Sequence, residues 1–234
     1  MNGSRSLIAA KLALSTALVM ASTMMINVYV PATRGYFNLG ECMIYLIALL
    51  FDPLTAAFAG GVGSALADIA LGYLIYAPAT LLIKAAEGAV ASKLAKKIRT
   101  KGESILLPTA FLVVAGYFTL VLIIGYTIFA GEIELSLANF FVFKGFLSPI
   151  IWIPIAFIAT LIPFYLTLRR RGEGLLIAAL LLSGLVMISG YFIYEQLILG
   201  YYALAEVPAN FGQAVLGTAV AIPLYKAIQK IRGR

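Results

Sequence analysis

The chain has 234 residues, is 62% hydrophobic and carries a formal net charge of +7. Histidine is absent and cysteine occurs once, at Cys42. This composition excludes disulfide frameworks, zinc or haem sites with His ligands, and nucleophile pairs that need His. A domain of this size cannot bury so much apolar surface in its own core, so we predict that lipid surrounds most of it.

Long apolar runs predict an all-α fold, a polytopic transmembrane helical bundle formed by residues 1–234 as a single membrane domain. Lys and Arg cluster near both termini, at 93–101 and at 169–171. Because such clusters mark the cytoplasmic side, both termini are predicted to lie inside. The segment 40–51 is short, about 18 Å as a helix against a hydrocarbon core of about 30 Å. The eight predicted spans are approximately 8–30, 40–51, 54–76, 78–97, 105–130, 138–168, 174–204 and 208–230.

Ionisable and amide side chains within these spans gather in the predicted outer half of the membrane. Such groups cost several kcal/mol in lipid unless they face protein or water, which makes them candidates for function. Helix rise places the charged ones roughly 6–13 Å below the outer ends of their spans. We therefore predict a cup that is open to the outside and has an apolar floor. Its members are Asp68, Lys84, Glu87, Lys144, Glu195, Asn210 and Gln213.

Two alternatives remain open for these groups. Lys84 and Glu87 are spaced i and i+3 and are able to pair on one helix face. The charges would then neutralise one another and join helices without any ligand. Five charges at one depth favour a binding role for the set as a whole.

A predicted external loop, Pro31 to Gly40, combines turn-forming residues with aromatic side chains that are able to stack on a planar ligand. It contains Arg34, Tyr36 and Asn38. Tyr residues at a membrane surface are also ordinary interface anchors. Arg34 favours the ligand role, because it is the only basic residue in a predicted external loop.

The first span carries small residues at a spacing of four, which places them on one stripe of the helix. Such a stripe lets two helix backbones approach closely in lipid. The partner is either another helix of the same bundle or a separate membrane subunit. A second set of small residues, in 60–67, is predicted to pack inside the bundle. The stripe consists of Ala9, Ala13, Ala17 and Ala21.

Four segments in order resemble the S components of energy-coupling factor (ECF) transporters. They are 35–41 (GYFNLGE), 63–73 (GSALADIALGY), 76–88 (YAPATLLIKAAEG) and 206–217 (EVPANFGQAVLG). The resemblance implies a six-helix core, formed by residues 1–100 and 174–234, that captures vitamins from outside. The stretch 104–171 is then an inserted helical hairpin.

The resemblance also implies partners and roles. The partners are a transmembrane T component, which would dock on the alanine stripe, and two cytoplasmic ATPase subunits. Those subunits would use ATP, and the chain itself would need no cofactor. Residues 34–40 match the family's cover over the pocket. Lys84, Glu87, Glu195, Asn210 and Gln213 fall on helices that form the pocket wall, whereas Lys144 is assigned by depth alone.

We therefore predict the substrate-capturing subunit of an ATP-driven importer, embedded in the cell membrane as a multi-pass protein. Its substrate would be a pyridoxine-, pyrimidine- or flavin-like micronutrient, and nucleic acid is not an expected partner. The alternatives are an ion-coupled carrier acting alone and a membrane enzyme that uses Glu87 or Glu195. The sequence lacks HExxH and GxSxG motifs, and we predict no catalytic or metal-binding residues. The predicted substrate-binding residues are Arg34, Tyr36, Asn38, Asp68, Lys84, Glu87, Lys144, Glu195, Asn210 and Gln213.

Overall fold

A computed structural model of the chain describes residues 2–30, 35–101, 131–137, 141–147 and 171–233, with single residues between 112 and 119 and between 150 and 169. Its described helices are α1 (Asn2–Met25), α2 (Gly40–Leu50), α3 (Pro53–Leu71), α4 (Ala77–Lys101), α5 (Arg171–Leu199) and α6 (Val207–Ile231). A 3₁₀ helix, Gly200–Ala205, joins α5 to α6. The strands are β1 (Ile26–Val30), β2 (Gly35–Asn38), β3 (Gly131–Leu137) and β4 (Phe141–Leu147).

Four stretches of described helix are long and apolar enough to cross a membrane: Arg5–Met25, Pro53–Leu71, Gly172–Leu199 and Val207–Ile231. The predicted helical membrane bundle is therefore confirmed. Helix α2 has only 11 residues and is almost wholly buried among the others, which suits a segment too short to span lipid alone. Predicted span 105–130 falls almost entirely outside the described residues.

Small residues let α3 approach its neighbours closely. A Cβ added to Gly60 would lie 2.8 Å from the backbone oxygen of Lys84 in α4, and one added to Gly63 would lie 2.8 Å from the Cβ of Val19 in α1. Real Cβ atoms do not approach other atoms this closely, so these two positions have room only for glycine. The prediction that the small residues of 60–67 pack inside the bundle is confirmed for these glycines.

Replacing Gly61 with leucine is expected to destabilise the protein by at least about 1–3 kcal/mol, because overpacking forces backbone to move. A Cβ at this position would lie 2.6 Å from the backbone oxygen of Leu81. Thermal unfolding in mild detergent measures the effect. The control is Ala70→Leu, since Ala70 is exposed on the same helix; an equal loss in both variants would contradict this role for Gly61.

The structure contains a four-stranded antiparallel sheet in the order β2-β1-β3-β4, which is absent from the fold predicted above. Two predicted spans need correction. Residues 26–30 form β1 and do not continue the first helix, and Phe141–Leu147 forms β4 inside predicted span 138–168. In β3 the polar residues of GEIELSL alternate with apolar ones, as in a half-exposed strand.

Basic residues gather at one end of the bundle. Lys11 of α1 pairs with Asp52, just before α3, at 2.6 Å. Near the end of α6, Lys226 pairs with Glu173, near the start of α5, at 2.5 Å. Arg99, near the end of α4, donates a 2.6 Å hydrogen bond to the backbone oxygen of Leu49. The end of α3 and the starts of α4 and α6 therefore lie at the opposite end, which the positive-inside rule assigns to the exterior.

Candidate functional site

A polar pocket opens at the end of the bundle opposite the basic clusters. Its closed hollow has a volume of about 40 Å³, which gives room for roughly three water molecules. Its lining comes from α1, β2, α3, α4, α5 and α6: Thr23, Tyr36, Asn38, Ser64, Asp68, Tyr76, Thr80, Lys84, Tyr191, Glu195, Glu206, Asn210 and Gln213.

Lys84 forms the centre of a buried charge cluster at the pocket floor. Its ammonium pairs with the carboxylate of Glu41 and lies 3.4 Å from Oε2 of Glu87. The hydroxyl of Tyr45 donates a 2.8 Å hydrogen bond to Oε1 of Glu87. All three charged side chains are almost completely buried. Two carboxylates therefore share one ammonium in a dry part of the bundle.

Glu41 reaches this cluster because α2 packs directly on α6. A Cβ added to Gly217 of α6 would lie 2.5 Å from the Cβ of Glu41, so only glycine allows this approach. The glycine thus sets the position of the first turn of α2 against the pocket wall.

Strand β2 covers part of the pocket through its tyrosine. The hydroxyl of Tyr36 donates a 2.6 Å hydrogen bond to Oδ1 of Asp68, and its ring stacks on Tyr73 with centroids 4.4 Å apart. Burial and the neighbouring Asp68 carboxyl raise the pKa of Tyr36 well above its ordinary value. The phenol therefore stays protonated and able to donate. Deeper in the pocket, the hydroxyls of Thr80 and Tyr191 share a 2.9 Å hydrogen bond.

A second connection ties β2 to α6. The backbone N–H of Asn38 donates to Oε1 of Gln213 at 2.9 Å, and Nε2 of Gln213 donates to Oδ1 of Asn210 at 3.0 Å. The end of β2 is therefore held by a chain of amide hydrogen bonds. Opening the mouth on this side requires breaking at least one of them.

Glu195 and Glu206 bring two further carboxyl groups to the pocket. Each is only 3% exposed, and they are near enough to interact electrostatically. Within the part of the chain that the structure describes, Oε2 of Glu195 has no hydrogen-bond partner. A buried carboxyl oxygen without a partner is uncommon in native proteins and calls for an explanation.

The structure brings most of the predicted binding residues together. Glu87 is not among the lining residues; it contacts Lys84, which is one of them, at 3.4 Å. Arg34 lies outside the described residues. Seven predicted residues line the pocket: Tyr36, Asn38, Asp68, Lys84, Glu195, Asn210 and Gln213.

Lys144 does not join them, and its predicted depth within a span is wrong. It lies on β4, its side chain is 77% exposed, and it pairs with Glu134 of β3 at 2.7 Å. The error follows from treating 138–168 as one helix, because Phe141–Leu147 is a strand whose partners lie across the sheet.

Several residues of the pocket and of the charge cluster at its floor were not predicted from the sequence. Glu41 ends the segment GYFNLGE, and nothing in that segment indicates that its side chain meets Lys84. Glu206 stands at the start of α6, where an acid is common for helix capping reasons alone. Tyr191 lies in an otherwise apolar run. The positions of Glu41, Tyr191 and Glu206 at the site follow only from the way α2, α5 and α6 pack against the other helices.

The alanine stripe of α1 faces away from the bundle. The opposite face of the helix buries Ser15, Val19 and Thr23. The close contact with α3 is made at Val19 and Gly63, outside the stripe. All four stripe residues are exposed: Ala9, Ala13, Ala17 and Ala21.

Comparisons with known proteins support a transport component. Residues 6–153 match the family model described as "ECF-type riboflavin transporter, S component". The matched range includes 104–153, most of the stretch assigned above to an inserted hairpin, and that assignment stays a prediction. A curated relative, "Uncharacterized protein in gap 3'region" from Pyrococcus woesei, is 46% identical over 88 residues, which are 38% of this chain. The chain spans 59% of that relative's length. No solved structure matches the chain.

The match to the family model covers more than half of the chain, and its apolar helices are those of a multi-pass membrane protein. The family is one of transporter components and not of enzymes. With the resemblance in four ordered segments and the outward-facing pocket, this leads to one conclusion. The chain belongs to the family of ECF-type riboflavin transporter S components.

Proposed function

We propose that this protein captures a small water-soluble vitamin or related micronutrient in the pocket between α3, α4, α5 and α6. The observation that carries the proposal is the concentration of buried polar side chains at one end of an apolar bundle. Buried polar groups are costly in a membrane protein and usually mark a substrate pathway. Tyrosine rings in the same pocket suit a planar heterocycle of the pyridoxine, pyrimidine or flavin type.

Capture by this pocket requires the mouth to open and close. The closed hollow of about 40 Å³ is far smaller than the roughly 300–1,000 Å³ that ligand sites for small molecules enclose. Strand β2 is the element that would move, since Tyr36 and Asn38 hold it across the mouth.

Delivery to the cytoplasm is proposed to depend on a T component and two ATPase subunits, which would use the ATP. The exposed stripe of α1 supports this docking role, because small residues there leave room for a second helix backbone. Most residues of the apolar part of α1 are not buried inside the bundle. The helix therefore has free surface for a partner in the membrane.

The direct test is purification in mild detergent followed by mass spectrometry of the small molecules that remain bound. A vitamin or vitamin precursor in stoichiometric amount is the expected result. A preparation that retains no small molecule, and whose unfolding temperature does not respond to any compound of a vitamin panel, would contradict substrate capture.

Tyr36→Phe is expected to weaken binding of the identified compound about tenfold or more, since a hydrogen bond to a charged group contributes about 1.5–3 kcal/mol. The loss should come from faster release, because the lid strand loses its bond to Asp68. Stopped-flow dissociation and calorimetry measure both quantities. Tyr225→Phe is the control, as Tyr225 contacts Arg99 at the basic end of the bundle. Unchanged release from Tyr36→Phe would exclude β2 as the lid.

A further inference from the structure

We propose that the captured molecule is an organic cation and that Glu195 supplies its counter-charge. This inference rests on the proposed capture function and narrows its substrate class. It follows from the balance of charges buried around the pocket, from carboxyl oxygens of Glu195 and Asp68 without a partner among the described residues, and from the aromatic lining.

Buried acids outnumber buried bases around this pocket. Among the described residues, the buried charged side chains are five carboxyl groups and one ammonium. The ammonium of Lys84 is already shared between Glu41 and Glu87. None of its charge is left over for a substrate anion. The remaining acids on the pocket wall are Asp68, Glu195 and Glu206.

Glu195 is the acid on the pocket wall to which we assign the positive charge of the ligand. It is 3% exposed, it lines the pocket, and its Oε2 atom has no hydrogen-bond partner within the described ranges. Oδ1 of Asp68 accepts the hydroxyl hydrogen bond of Tyr36, whereas its Oδ2 atom has no hydrogen-bond partner among the described residues. A buried carboxylate is stable only when a cation or hydrogen-bond donors compensate it. An ammonium or a protonated ring nitrogen of a bound ligand would provide both at once.

The aromatic side chains of the pocket fit the same ligand class. Tyr36, Tyr76 and Tyr191 all contribute to the lining. The face of a tyrosine ring attracts cations, and cages of such rings bind organic ammonium groups. The ring of Tyr191 already takes part in such a contact, with the Lys84 ammonium 5.4 Å from its centroid.

A metal ion fits the site less well than an organic cation. No group of three or more Asp, Glu, Cys or His side chains in the described part of the chain converges closely enough to hold a metal. The carboxyl groups on the pocket wall are instead distributed over α3, α5 and the start of α6.

The test compares wild type with Glu195→Gln, which removes the charge and keeps the shape of the side chain. The small molecule retained on purified protein is identified by mass spectrometry, and its charge at pH 7 is read from its electrophoretic mobility. An organic cation is expected on the wild type. Retention by Glu195→Gln should be at least about tenfold lower, since truncating a buried charge pair is costly. The control is Glu173→Gln, whose carboxylate pairs with Lys226 at the opposite end of α5.

Unfolding in detergent without ligand separates binding from a structural role. Glu195→Gln should unfold at the same or a higher temperature than wild type, because it removes a buried acid that lies near Glu206 and has an oxygen without a partner. A large decrease would mean that Glu195 holds the fold, and would overturn its assignment as the ligand's counter-charge.

Two other outcomes would overturn the cation inference. They are a neutral or anionic retained molecule and a stoichiometric metal ion. The first would leave the capture function intact. If wild-type protein retains nothing and no vitamin alters its unfolding, capture itself is contradicted.

Discussion

Lys84→Met is expected to lower the free energy of unfolding by about 3–5 kcal/mol at neutral pH, the cost of removing one member of a buried ion pair. The side chain is 4% exposed, and its partners Glu41 and Glu87 are 1% and 0% exposed. Methionine preserves much of the volume but leaves two carboxylates facing each other in the dry interior. The effect would be measured by thermal and denaturant unfolding in detergent.

Two further variants test whether the loss of stability in Lys84→Met comes from its buried ion pairs. Lys11→Met breaks the exposed pair with Asp52, and exposed pairs are worth about 0–1 kcal/mol. Adding Glu41→Gln to Lys84→Met should recover part of the stability, since one of the uncompensated carboxylates is then gone. If Lys84→Met unfolds like wild type and binds the substrate at least tenfold more weakly, Lys84 is a substrate ligand and not the centre of the charge cluster.

The position of the pocket could be predicted from the sequence. In a helix, the number of residues between a side chain and the helix end determines how far below the membrane surface the side chain lies. Asp68 precedes the end of its helix by only a few residues, and Asn210 and Gln213 follow the start of theirs. With a rise of 1.5 Å per residue, such groups necessarily lie near one end of the bundle. The direction of each helix came from the basic clusters. Both arguments are local, and both hold for the described helices.

The charge balance of the pocket could not be predicted in the same way. Glu41 enters the site only because α2, a helix too short to cross the membrane, packs inside the bundle against Gly217. Its partner Lys84 lies on another helix, and no local spacing links the two. The sequence instead suggested a pair between Lys84 and Glu87, which is half of the cluster that forms.

The sheet does not follow from hydropathy, because hydropathy alone does not distinguish an apolar strand from the start of a membrane span. The segment Phe141–Leu147 is apolar enough to begin a span, yet its Lys144 faces Glu134 across an antiparallel pair of strands. Alternation of polar and apolar residues in Gly131–Leu137 was the available signal. Membrane proteins tolerate strands where other protein or water satisfies the backbone, and the sheet provides its own partners.

Replacing both Ala13 and Ala17 with leucine is expected to abolish uptake while leaving substrate affinity within about twofold of wild type. Both residues are exposed in the middle of α1. Two added side chains would hold a partner helix away from the stripe, and overpacking costs about 1–3 kcal/mol for each. Together these costs correspond to at least about a tenfold loss of the assembled complex.

The measurement needs two readouts: binding by the detergent-purified subunit, and ATP-dependent uptake of the co-purified compound by liposomes that also contain the T component and both ATPases. Ala86→Leu is the matched control, because Ala86 is exposed in the middle of α4, on another face of the bundle. Loss of binding in the double variant would mean that the stripe supports the fold. Full uptake would exclude the stripe as the docking surface, and gradient-driven uptake by liposomes containing this subunit alone would identify an independent carrier.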